Sequence, residues 1–288
     1  MSSTKDYITL HFMVFLWGFT AVLGKLITIP AVEMVFYRTL IAAIGMAGLM
    51  LYRKDRFGIS QGDAIKLLAT GIIVGIHWLT FFLAVKISNP STALIGFATC
   101  SLWAALLEPI VKRQKIQVIE VLLGAVVVVG LYIIFSFDFK YPLGLFLGIL
   151  SGVTVAIFGV INSLMVRRIP STTITFYEMI GACVSLVVFM ATMDGELQLS
   201  PSAMDWLWIS ILALVCTVYA YAIAIELLKR LSVFIVQLSL NLEPVYGIIL
   251  ALLIFGESEV MGWSFYLGTF IILGAVLTYP ILKSKRVA

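Results

Sequence analysis

Charge is what this 288-residue sequence has least of. Lys, Arg, Asp and Glu together make up 12% of it, against 62% hydrophobic residues and a mean hydropathy of +1.11. So few polar side chains cannot clothe a water-soluble globule of this length, and the composition points to an integral membrane protein. Cysteine is scarce too. Cys100, Cys183 and Cys216 are odd in number, lie inside apolar runs and lack metal-ligand spacing. They read as small core side chains, with no metal or cofactor expected. No G-x4-G-K-[S/T] phosphate loop occurs, so ATP use within the chain is not expected. The formal net charge of +4 is dispersed in short clusters, not one patch, which argues against a nucleic-acid surface and for loops that orient membrane spans. The N-terminal apolar run has no small-residue cleavage site, so the first helix is expected to be retained.

Long apolar runs are what the sequence does contain. A spanning helix needs about 20 mostly apolar residues, and the turn and charge signals divide the chain into ten. They are 8–29, 31–51, 64–85, 90–111, 117–136, 142–165, 171–192, 204–226, 232–255 and 262–282. Basic loops should alternate in side and face the cytoplasm. Lys5, the Arg53/Lys54/Arg56 group with Lys66, Lys112/Arg113/Lys115, Arg167/Arg168, Lys229/Arg230 and Lys283/Lys285/Arg286 then share one face. Opposite stand Lys86 and Lys140 and the acids Asp138, Asp194, Glu196, Asp205, Glu257 and Glu259. The expected fold is an all-α membrane protein of ten transmembrane helices with both termini cytoplasmic.

The sequence also repeats. WGFTAV (17–22) precedes PAVEMVFYRTLIA (30–42), and SGVTVA (151–156) precedes PSTTITFYEMIGA (170–182). GIHWLTFFLAVKISNPS (75–91) aligns without gaps to CTVYAYAIAIELLKRLS (216–232), pairing Trp78 with Tyr219. Gly124/Gly130 and Gly268/Gly274 share a spacing. Five helices is an odd number, so two such halves, 1–138 and 139–288, would sit with inverted topology.

Trp17-Gly18, Lys25, the FYRTLIA stretch around Arg38 and LEPVYGIILALLIFGE (242–257) carry a resemblance to the drug/metabolite transporter superfamily. The chain resembles, in particular, bacterial transporters of two EamA-type repeats. The resemblance covers essentially the whole chain. It implies alternating access, a cavity lined mainly by helices one to four and six to nine, and peripheral helices five and ten. The first repeat departs from the pattern, since aligning Ser91 on Ser232 leaves no proline at Cys100–Trp103. An asymmetric site is therefore expected.

An ionised side chain at mid-span costs on the order of 2.5 to 3.5 kcal/mol on insertion scales, so each must face protein or water. Glu108 precedes Lys112 by four residues and reads as an interfacial ion pair. Lys25, near the outer end of its helix, can snorkel, although the resemblance gives it a binding role. Glu33, Glu120 and Glu226 read as solvated helix ends. Arg38 and Glu178 lie about two turns into their helices, roughly 11 Å, at equivalent repeat positions. Inversion places Arg38 toward the outer half of a path and Glu178 toward the inner half.

In LNLEPVYG (240–247) Glu243 is the deepest charge, and Pro244 deprives the Leu240 carbonyl of its helical donor. Such a break is tolerated at midplane only where it packs in protein or lines a wet cavity. With Asn241 and Gln237 it gathers acceptors where carriers bind substrate and ions. The second LEP, at 107–109, sits at a basic edge instead. Trp17, Trp78, Trp103, Tyr219, Tyr221 and Tyr246 lie within spans and offer aromatic faces with a polar handle. His77, beside Trp78, is a titratable candidate. Gly71/Gly75 and Gly144/Gly148/Gly152 recur at a spacing that lets helices approach closely.

The pattern favours secondary transport of a small organic metabolite across the bacterial inner membrane, an amino acid or related amphipathic or zwitterionic solute, with export the expected direction. Other solute classes (drug, nucleobase, quaternary amine) stay open. A membrane enzyme would want polar residues clustered at one interface, and a channel a repeated polar filter, neither of which the sequence displays. The implied partners are the substrate, the bilayer and a coupling proton or ion, and a homodimer is left open.

Overall fold

Ser3 opens the first helix through a capping box. Its hydroxyl accepts the Asp6 amide hydrogen while the Asp6 carboxylate accepts from the Ser3 amide. The computed structural model describes residues 3–88, 90–135, 141–192, 200–243, 245–246, 250 and 263–284. Among them every regular element is helical: α1 (Thr4–Leu26), α2 (Ala31–Arg53), α3 (Gln61–Ile87), α4 (Pro90–Ala98), α5 (Cys100–Val111), α6 (Val118–Phe135), α7 (Pro142–Met165), α8 (Ser171–Ala191), α9 (Ala203–Ala213), a π-helical turn (Leu214–Tyr219), α10 (Ala220–Leu227), α11 (Val233–Leu240) and α12 (Trp263–Ser284). Prolines 30 and 170 start α2 and α8, where a missing amide hydrogen costs nothing. Among the described residues six stretches are long and apolar enough to cross a membrane, including Ala31–Arg53, Pro142–Met165 and Ser171–Ala191. The chain is a multi-pass helical membrane protein.

Two of the expected continuous spans are interrupted. The run 90–111 divides at Thr99, and the run from 232 divides at Asn241–Leu242. Both breaks have the same backbone form. Thr99 (φ −60°, ψ −11°) turns its amide to Gly96 O, and Asn241 (φ −66°, ψ −5°) turns its amide to Leu238 O, each three residues back. This is 3₁₀ tightening. No proline stands at Thr99, whose hydroxyl also donates to Gly96 O at 2.7 Å, the same carbonyl that its amide reaches. The unbroken span expected over 90–111 is thus corrected. Pro244 lies outside the described residues, as does the stretch 251–262 with the Gly-Glu end of the motif.

The chain forms two compact units that do not follow the halves of the sequence. The first contains residues up to Leu79 together with Ile161–Leu231, and the second contains Thr80–Val160 with the residues from Ser232 on. In the first, α2 lies along α8, and α3 meets α8 at a reciprocal glycine contact. A Cβ on Gly71 would stand 2.2 Å from Glu178 O, and one on Gly181 would stand 2.2 Å from Leu68 O. In the second, α6 lies along α12, with Gly130 against Gly268 and Ile272. Gly148 of α7 packs on Ala93 and Gly96 of α4. The four-residue glycine spacings are therefore helix contacts.

One end of the first unit is tied by polar bonds between chain segments whose charges the sequence places on one face. Arg168 grips Asp63 with both guanidinium nitrogens at 2.8 and 2.5 Å, Thr172 donates to Asp55, and Arg230 Nε donates to Asp6 at 2.7 Å. At the opposite end of α1, Thr28 donates its amide and hydroxyl to Asp205. The Ser3 amide, then Arg230, hold the Asp6 carboxyl below its usual value of 3.8. A carboxyl lowered by folding adds stability above pH 3.8 that is lost as pH falls through the lower folded value. In detergent, the melting-temperature advantage of the native protein over Asp6→Asn should hold from pH 7 to 5 and shrink below about 4. An advantage that persists unchanged at pH 3 contradicts this.

Candidate functional site

In the first unit a chain of buried polar and aromatic groups runs from α2 to α8. Arg38 is 3% exposed, its guanidinium carbon stands 3.9 Å from the centre of the Trp78 ring, and its Nε donates to Thr217 Oγ1 at 2.9 Å. Trp78 meets Tyr221 edge-on at 6.2 Å. Tyr221 donates its hydroxyl to Glu178 Oε2 at 2.8 Å, and Asn162 Nδ2 donates to the same oxygen at 3.3 Å. Glu178 is fully buried, and its Oε1 has no hydrogen-bond partner among the described residues. Arg38 and Glu178, expected in opposite halves of a path, thus belong to one cluster. α2 and α8, which carry them, are packed along each other.

The π-helical turn anchors this cluster. Thr217 Oγ1 donates to Leu212 O, five residues back. Trp17 Nε1 reaches Cys216 O at 2.9 Å, and Arg38 reaches Thr217. A π turn holds an extra residue, so every side chain beyond it is rotated relative to a regular α-helix. A gapless alignment from 216 therefore carries the wrong face. Tyr219, aligned with Trp78, is 49% exposed, and Tyr221 is the residue that meets Trp78. Asn162 and Thr217 were not among the sequence candidates, and Tyr221 was one only as an aromatic within a span. Searching apolar spans for amides as well as charges would have found Asn162, the neutral partner of Glu178. His77 is buried beside Trp78.

The second unit holds a different arrangement, in which the two helix breaks meet. Asn241 Nδ2 donates to Ser101 Oγ and to Gln237 O, both at 3.2 Å, and Cys100 Sγ lies 3.8 Å from Gln237 O. Gln237 Nε2 donates to Val155 O of α7 at 3.2 Å. The remaining amide oxygens, Gln237 Oε1 and Asn241 Oδ1, are buried without a hydrogen-bond partner among the described residues. Trp103 Nε1 donates to Thr99 Oγ1 at the first break. Glu243 and Tyr246 follow the second break and are half-buried. The Lys25 side chain lies outside the described residues.

The other acids divide. Glu108 pairs with Lys112 at 2.6 Å, as its spacing implies, and its second oxygen accepts the Phe234 amide in the first turn of α11. The two LEP sequences therefore differ in role, one capping a helix and the other following a break. Glu226 pairs with Lys229 at 2.8 Å. Glu33 is not solvated but 3% exposed, in the first turn of α2, where the helix dipole favours a carboxylate. Glu120 is half-buried and accepts the Tyr279 hydroxyl of α12.

Comparison with known proteins agrees with this architecture. The EamA-like transporter family matches the chain twice, over residues 5–136 and 142–279. A Haemophilus influenzae protein described as an uncharacterized transporter is 23% identical over 291 residues, covering 91% of this chain and 90% of its own. A protein of known crystal structure has the same fold, with a TM-score of 0.81 at 15% identity over 98% of this chain and 99% of that one.

Proposed function

Because the chain belongs to the EamA-like transporter family of the drug/metabolite transporter superfamily, we propose that it is a secondary transporter that exports a small amphipathic or zwitterionic metabolite of the amino-acid class by alternating access. The meeting of two broken helices at Asn241 and Ser101 carries this reading, with two buried amide oxygens beside it that bond nothing among the described residues. Backbone breaks and unsatisfied acceptors are costly in an apolar protein unless a ligand or water completes them. Acceptors of this kind suit an ammonium group or a coupling cation. Arg38 on Trp78, with Glu178 beyond Tyr221, supplies both charge signs and aromatic faces.

Ten spans in two inverted repeats, 1–138 and 139–288, fit the double family match and the like breaks at Thr99 and Asn241. Both termini are cytoplasmic in this arrangement, in the inner membrane, which puts Arg53, Arg167 and Lys229 at the basic face. Counterflow in proteoliposomes, screened over amino acids and their derivatives after a thermal-shift search, tests the function. Saturable, trans-stimulated exchange is expected. Chemical conversion of the solute, or flux without saturation, refutes it. Glu243→Gln should lower exchange about threefold to tenfold and flatten its pH profile while the protein still inserts. An unchanged rate and pH profile would remove Glu243 from the site.

A further inference from the structure

α2 and the α9–α10 span touch at Gly45, where a Cβ would stand 2.8 Å from Leu214 and 3.3 Å from Val218. One turn further along, they part. The cleft between them has a volume of about 720 Å³. Leu49 and Arg53 line it from α2, Ala222, Glu226 and Lys229 from the α10 side, and the residues 166–172 complete it. Leu49, Val218, Ala222 and Ile223 are among its apolar lining residues, and Arg53, Arg167, Arg168 and Lys229 are its basic ones.

The charges there are unequal. Arg53, Arg167, Arg168 and Lys229 face the cleft with only Asp55 and Glu226 to oppose them. Three of the six are engaged elsewhere or with each other: Glu226 with Lys229, and Arg168 with Asp63. Asp55 accepts from Thr172. Arg53 and Arg167 are exposed and have no ion pair among the described residues. Two uncommitted guanidinium groups, which suit the oxygens of a phosphate, thus flank an open cleft. The first turn of α8, at Ser171 and Thr172, adds its positive dipole end.

Tyr219 also lines the cleft, and with Leu214 and Val215 it forms an apolar stretch of the same span, between 40% and 49% exposed. Val215, Tyr219 and Ile223 follow one another at four-residue intervals, with Leu214 beside Val215, and lead away from the charged end. A basic pocket that opens onto an apolar stripe matches a molecule with an anionic head and a hydrocarbon tail, and basic pockets between membrane helices hold such headgroups. We propose that this cleft binds the headgroup of an anionic phospholipid, with Arg53 and Arg167 on the phosphate and one acyl chain along Tyr219, Val215 and Leu214. A soluble anion would leave the stripe unused.

Native mass spectrometry of the full chain in detergent tests this, with dioleoyl phosphatidylglycerol and dioleoyl phosphatidylcholine as competing probes. Phosphatidylglycerol should be retained preferentially. Arg53→Gln and Arg167→Gln should each weaken its retention about fivefold, and the pair about thirtyfold, with phosphatidylcholine little changed. The doubly substituted Lys66→Gln/Lys115→Gln protein, equal in charge loss but outside the cleft, should retain the lipid as the native protein does. Arg53→Lys/Arg167→Lys should keep most of the binding, and Ala222→Phe, which fills the cleft without altering charge, should lose it. Equal retention of the two lipids, native retention in the double glutamine variant, or an equal loss in the Lys66/Lys115 control overturns the proposal. Displacement of the lipid by glycerol 3-phosphate at similar concentration overturns it too, in favour of a soluble-anion site. The measurement requires no transport, so its failure and the failure of the transporter reading are separate outcomes.

Discussion

Glu178→Gln should leave the protein folded and lower counterflow at least tenfold. Glutamine matches glutamate in shape, and its amide oxygen can accept from Tyr221 and Asn162 as Glu178 Oε2 does. The carboxylate charge and its proton site are what disappear. Size-exclusion profile and melting temperature should therefore stay close to native while flux falls. Near-native flux would assign Glu178 a packing role alone. Arg38→Gln tests the other end of the cluster. It removes the cation 3.9 Å from the Trp78 ring, a contact worth about 0.5 to 2 kcal/mol depending on desolvation, and it also frees Thr217. Flux should again drop at least tenfold. Because Trp78 and Tyr221 join the two residues, the double variant should lose less than the product of the single losses. Independent, multiplicative losses would mean two separate sites.

Gly181→Val should abolish folded protein, with little monodisperse material after solubilisation. Even the first carbon of a side chain at Gly181 would stand 2.2 Å from the Leu68 carbonyl oxygen, and its counterpart at Gly71 meets the Glu178 carbonyl at the same distance. Both obstacles are backbone atoms, so no rotamer change relieves them and α3 must move away from α8. Small residues set how closely membrane helices pack, since no hydrophobic force between helices restores a lost contact. Gly71→Ala should be milder in yield yet still lower flux, because separating the helices shifts the segment that carries Glu178. Gly48→Ala is the control: nothing lies within 4 Å of a Cβ there, and native yield is expected. Native yield and flux in Gly181→Val would refute the close contact.

Much of this molecule was legible in the sequence, and the legible parts share a cause. Apolar run length and loop charge are properties of the chain in one dimension, so the starts at Pro142 and Ser171 and the membrane class follow from them directly. The Gly71 and Gly148 contacts follow from a four-residue spacing, and the Glu108–Lys112 pair does too. Arg38, Trp78 and Glu178 stand out because charge and large polar rings inside an apolar span need partners. Which partner each takes was not legible. The direction of a side chain around its helix depends on the hydrogen-bond register, and a π-helical turn at Leu214–Tyr219 leaves no mark in hydropathy. That turn points Tyr219 outward and Tyr221 to Glu178.

By itself, then, the sequence determined a multi-pass helical membrane protein with a duplicated pattern, and it marked the charges buried within it. Only the tertiary structure decided that a threonine breaks one helix where asparagine ends another, and that these breaks meet through Asn241 and Ser101. The reason is that the hydroxyl bond from Thr99 to Gly96 is local and recurs at Thr39 and Thr154 in unbroken helices. What distinguishes Thr99 is its surroundings, with Gly96 packed on Gly148 of another helix and Ser101 bonded to Asn241, and these are neighbours in space that the order of residues along the chain does not specify.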